Sequence, residues 1–258
     1  MSEEAKVITD LDMLERAFFE PTLLSTTYFQ KQREHCVDTR WTVFNNPLRN
    51  YPTLLSGLTQ VHEHRQDHAR SFIKRFRQQQ HDFNSCEAVF AELIVYGGCL
   101  RQVWEGHLTG LDLKPDSHDL ELTRPDGSHA FLEVFCVMPD PTPDATGLVS
   151  YQTHTQEAVS SIRQKLFQKI ERGQLSEPRE NWAVIELNHS AMTSFAVLSS
   201  LSDGYKIGTE SEGYDWSKSF FHDPRTRNIR GVVYFLLGHY GARSVVLNPF
   251  WRTPSTTG

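Results

Sequence analysis

Residues 118–137 read HDLELTRPDGSHAFLEVFCV, and this stretch decides the fold. Two runs rich in apolar residues flank Arg124-Pro125-Asp126-Gly127-Ser128, a turn signal, so the pattern predicts an antiparallel hairpin of strands 118–123 and 129–137. The second run is almost wholly apolar, which predicts an inner strand covered on both faces. Glu133 is the single charge inside it. With the turn at Asp126-Gly127, facing positions sum to about 252–254, which sets Asp119 beside Glu133. A carboxylate buried among Leu132, Val134 and Phe135 needs a cation or a hydrogen-bond donor. Two adjacent carboxylates need it more, because they repel. A divalent cation meets that need, and Mg2+ typically takes one or two carboxylates plus waters and substrate phosphate. A lysine or arginine from a helix covering the strand meets it too. The hairpin alone leaves both open.

Outward from the hairpin, helical and strand patterns alternate. Residues 53–83 contain no proline and carry Leu54, Leu55, Leu58, Val61, Phe72, Ile73 and Phe76 at helical spacings. Their polar middle, 62–70, fits one long helix or two with a break. A helix follows from Ser85, the expected N-cap, with an apolar stripe Val89, Phe90, Leu93, Ile94, Leu100, Val103 interrupted at Gly97-Gly98. Residues 112–117 read as a turn. After the hairpin come a proline-bearing loop (139–147), a helix (153–174), a strand (182–187), a helix (191–201), a polar connection (202–228) and two paired strands (231–237 and 244–247). Residues 11–19 predict a further helix. The order predicts an α/β core at 85–258, a central mixed β-sheet flanked by helices, with a helical N-terminal extension at 1–84 packed on it.

The chain has 258 residues, 38% hydrophobic and 22% charged, a globular composition with enough apolar surface for a sizeable core. Its net charge is −6, so any phosphate-binding surface has to be local. Four cysteines without a Cys-x-x-Cys pair read as buried thiols in a reducing compartment. The opening MSEEAKVITD lacks the apolar centre of a signal peptide, and no apolar run is long enough to span a membrane. The expected location is cytoplasmic, with no membrane partner.

Several short motifs occur in a telling order: Ala91-Glu92-Leu93 in a helix, Lys114-Pro115-Asp116, Asp119-Leu120-Glu121-Leu122, then Phe131-Leu132-Glu133-Val134. A helix with Lys165 and Lys169, the strand Trp182–Leu187 and a closing strand ending in Asn248-Pro249 follow. Over residues 86–252 this order resembles the PD-(D/E)xK nuclease superfamily. The resemblance implies a restriction-endonuclease-like core and a hydrolase that cleaves phosphodiester bonds in DNA with Mg2+ or Mn2+ and water as the attacking group. It implies that an aspartate of the first hairpin strand and the acid of the second hold the metal. Asp119 matches the first acid by register and Asp116 by its Pro-Asp wording; Glu133 matches the second. Glu92 matches the helix glutamate that often completes the site.

The superfamily places a lysine two residues after the second acid, where this chain has Phe135. Some members supply that lysine from the following helix, and Lys165 and Lys169, four residues apart, share one helix face. A lysine there polarises phosphate or orients water. If neither reaches the site, the domain is a catalytically inactive binding or assembly module.

The run His62-Glu63-His64-Arg65-Gln66-Asp67-His68 looks like a hydrolase metal motif of the metallo-β-lactamase type, but two residues rather than one separate His64 from Asp67. It reads as a solvated helix face. With Arg65, Arg70, Lys74, Arg75 and Arg77 the segment is the most basic part of an acidic chain, a possible clamp for a DNA backbone. Nucleophile-elbow, P-loop and dinucleotide-binding motifs are absent.

Overall fold

The computed structural model describes residues 51–79, 82–114, 118–137, 151–187, 194–203, 205–206, 213–236 and 238–251. The expected helix at 11–19, Cys36, the loop at 139–147 and Asp116 lie outside these. So does the helical extension before residue 51.

The chain divides into two compact units, Met1–Arg101 and Gln102–Gly258. In the first, α1 (Tyr51–His64) and α2 (Gln66–Gln79) are separate helices broken at Arg65, and α3 spans Phe83–Trp104. The α2 sequence buries His68, Ala69, Phe72 and Phe76, one stripe at spacings of one, three and four. The histidine run keeps Glu63, Arg65, Gln66 and Asp67 exposed, as the solvated reading expects, and departs from it at its last residue. His68 is buried, with Nδ1 2.7 Å from the Tyr96 hydroxyl, and His64 stands edge-on to the same ring. Helix α3 starts two residues before the expected Ser85. Asp82 caps it, accepting from the backbone N–H of Ser85 at 3.2 Å and from its hydroxyl at 2.6 Å. Gly97-Gly98 do not interrupt it, because apolar packing on both sides outweighs their weak helix propensity.

The second unit is α/β. Six strands form one mixed sheet in the order β1-β2-β3-β4-β7-β8: β1 (Gly110–Leu113), β2 (Leu120–Thr123), β3 (His129–Val137), β4 (Asn181–Leu187), β7 (Ile229–Leu236) and β8 (Ser244–Leu247). The β1–β2, β2–β3 and β7–β8 pairs are antiparallel; β3–β4 and β4–β7 are parallel. Asp112 and Leu113, expected in the turn at 112–117, belong to β1, whose four residues are too few to show a period in sequence. Helix α4 (Tyr151–Glu171) makes the crossover between the parallel strands β3 and β4, and α5 (Ser194–Leu201) follows β4. The connection at 202–228 is not simply polar. It holds a small hairpin, β5 (Tyr205–Lys206) with β6 (Gly213–Tyr214), and a short 3-10 helix that buries Phe220 and Phe221.

The hairpin forms as its sequence predicts. Gly127 takes a positive φ of 79°, which a side chain would strain, and Asp126 accepts from the Ser128 N–H at 2.9 Å. Arg124 of the turn pairs with Glu180, which leads into β4. On one face of the sheet Phe135, Val137, Ile185 and Leu187 pack with Ile162 and Leu166 of α4 in a single apolar core. Leu132, Val134 and Cys136, on the other face of β3, are buried too, as expected for an inner strand. Cys86 and Cys99 are likewise buried, and none of these cysteines forms a disulfide among the described residues.

Candidate functional site

The hairpin register aligns Leu120 with Leu132, so the next facing positions are Asp119 and Glu133. Two contacts hold Asp119 there. Its N–H donates to the Leu132 carbonyl at 3.1 Å, and its Oδ2 accepts from the Val134 N–H at 2.7 Å. Glu133 is fully buried in the middle of β3. Burial first, and the Asp119 charge second, push its carboxyl up to about 7 against the pull of Lys169.

Lys169 comes from the last turn of α4 and donates directly to Oε1 of Glu133. The end of that helix is set by a backbone motif. Gly173 has φ +87°, its N–H donates to the Ile170 carbonyl at 3.0 Å, and the Gln174 N–H donates to the Lys169 carbonyl at 3.0 Å. This is a Schellman cap, so the cap fixes the turn that carries Lys169. One turn earlier, Lys165 donates to the Cys136 carbonyl at 2.8 Å, and burial lowers its pKa. The two lysines share a helix face, as their spacing predicts, but only Lys169 meets the carboxylate.

Phe135 shares the Glu133 face of β3 and is buried in the core beneath α4. A lysine there would have to enter apolar packing. A lysine of the covering helix instead reaches the acid from above, its stem over the sheet and its head at the polar site.

Next to the site, His118 stands edge-on to Phe131 at 4.8 Å, and burial pushes its imidazole down to about 4. It is neutral at physiological pH and adds no positive charge beside Asp119.

Glu92 belongs to the helical unit, where its buried carboxylate is gripped through both oxygens by the Arg75 guanidinium. The sequence reading missed this partner. The available signal was spacing: residue 75 lies three after Phe72 and one before Phe76, at the border of the α2 core stripe. Asn248 of the closing motif is a structural residue. Its Nδ2 donates to the carbonyls of Thr226 at 3.1 Å and Ile229 at 2.8 Å.

The residues fit a hard divalent cation in one respect. Asp119 and Glu133 are adjacent oxygen donors, and Oε2 of Glu133 is buried with no hydrogen-bond partner. Among the described residues, no group of three or more His, Cys, Asp and Glu side chains is placed to hold a metal. No helix among them is long and apolar enough to cross a membrane. Comparison of the chain with protein-family models, curated proteins and solved structures found no match.

Proposed function

We propose that this chain is a divergent nuclease of the PD-(D/E)xK type, a hydrolase of phosphodiester bonds in DNA. One observation carries the reading: Lys169 of α4 meets Glu133 of β3, whose hairpin neighbour is Asp119. Two acids and a lysine are the groups such chemistry needs, and Phe135 explains why the lysine comes from the helix. Asp119 and Glu133 would hold Mg2+ or Mn2+, which stabilises negative charge on the phosphate as a Lewis acid. Lys169 supplies a preorganised cation for the charge that develops on phosphate oxygen. Asp119 is kept in place by the Val134 N–H, so the acid pair does not depend on side-chain rearrangement.

A second reading has its own support. Lys169 already pairs with Glu133 without a metal, and no third metal-ligating side chain joins the pair among the described residues. That arrangement also suits a catalytically inactive nuclease-fold module that binds without cutting.

Incubation with duplex and single-stranded DNA separates the two. A nuclease cleaves with Mg2+ or Mn2+, stops with chelator, and loses activity in Asp119→Asn and Glu133→Gln. Wild-type protein that cleaves neither substrate with either ion favours the inactive module over the nuclease.

A further inference from the structure

Five cations crowd the second helix of the first unit and its approach, and the structure separates them into two groups. Arg65 is engaged by Asp67, with Nε and Nη2 at 2.9 and 2.7 Å from its two oxygens. Arg75 is spent on Glu92. Arg70, Lys74 and Arg77 are exposed and make no ion pair among the described residues.

These three follow one another at spacings of four and three, so they project from one side of α2 within about 60° of arc and about 10 Å of axis. Together with Ile73 and Gln78 they line an open concavity of about 440 Å³. The opposite side of α2 is anchored by Phe72 and Phe76, both fully buried. The cations are therefore presented by a fixed helix face, not by a loose tail. The only acid in α2 is Asp67, already held by Arg65. On a chain of net charge −6, three unmatched cations on one face are a local exception.

We propose that this face of α2 is a contact surface for the phosphate backbone of duplex DNA. The choice of partner rests on the nuclease reading; the charge pattern is independent of it. Duplex DNA carries a negative charge about every 1.7 Å of axis, so about 10 Å of helix faces several phosphates. Arg70 and Arg77 offer planar donor forks to phosphate oxygens, and Lys74 between them is a point charge.

The test measures binding of the full-length protein to a duplex of about 30 base pairs in chelator, across about 50–200 mM salt, where no cleavage occurs. Arg70→Ala/Lys74→Ala/Arg77→Ala is compared with wild type and with a control of equal charge change, Lys218→Ala/Arg227→Ala/Arg243→Ala. Each phosphate contact contributes about 0.9 to the slope of log affinity against log salt, so the α2 triple lowers the slope by about 2.7. Over that range wild type then loses about 40-fold more affinity than the variant. The control keeps the wild-type slope, and unchanged melting temperatures show that the variants fold. An unchanged slope in the α2 triple overturns the surface, as does an equal drop in the control or an absence of wild-type binding at about 50 mM salt. Cleavage that persists with an unchanged slope overturns this surface and leaves the nuclease reading. A lowered slope in a protein that never cleaves DNA supports the surface and overturns that reading.

Discussion

The ammonium of Lys169 lies on the carboxylate of Glu133, although 36 residues separate them in sequence. Glu133 is fully buried and the Lys169 side chain is 21% exposed, so the acid depends on the lysine while the lysine keeps access to solvent. A group placed this way can neutralise a buried charge and still turn toward a bound anion.

Lys169 and Lys165 are expected to differ in function. Lys169→Ala lowers Mg2+-dependent cleavage by about 10²–10³, the worth of one preorganised donor to developing charge. Lys165→Ala removes a contact to the Cys136 carbonyl and lowers it far less. Single-turnover cleavage of labelled DNA measures both. Equal losses would deny Lys169 its special place.

Glu133 makes stability depend on pH in a defined sense. Burial and Asp119 raise its folded-state value from 4.5 to about 7. The folded state therefore holds the proton more tightly than the unfolded state. Stability from this group is full below about 4.5, falls as pH rises through about 7, and then levels off. Glu133→Gln lacks this titration, so its stability relative to wild type rises between pH 5 and pH 8 in urea melts. A constant difference across that range contradicts the raised value.

A divalent ion that binds Asp119 and Glu133 competes with their mutual repulsion, so it stabilises the folded protein. At 100 times its dissociation constant the gain is about 2.7 kcal/mol. Thermal melts with Mg2+ or Mn2+ against chelator read it in wild type, and Asp119→Asn removes it. The same shift in the variant places the ion elsewhere.

Gly173→Ala tests the cap that sets Lys169. Nothing lies within 4 Å of an added Cβ, so the cost comes from the positive φ alone. It amounts to about 1–2 kcal/mol in urea unfolding. A neutral substitution means that the helix end tolerates another conformation.

The hairpin, the acid pair and the α/β alternation were legible in the sequence, because each follows from local rules. A turn with glycine at a positive φ sets the register, and a period of two then brings Asp119 opposite Glu133 whatever packs above them. The apolar run of β3 implies an inner strand, because so much apolar surface has to leave water. The spacing of Lys165 and Lys169 put both on one helix face. It did not say which of them meets the acid, since that depends on the height of α4 over the sheet and on the Gly173 cap. Asp82 and Arg75 were missed for a related reason: a cap three residues before the expected one and a cation at the border of a stripe look like ordinary surface residues until their partners are known. Only the tertiary structure decided that Arg75 goes to Glu92, that Phe135 fills core, and that Lys169 answers Glu133. Each is a contact between elements far apart in sequence. Such contacts are selected by the requirement that a buried charge find a partner, and chain order does not encode which partner is near.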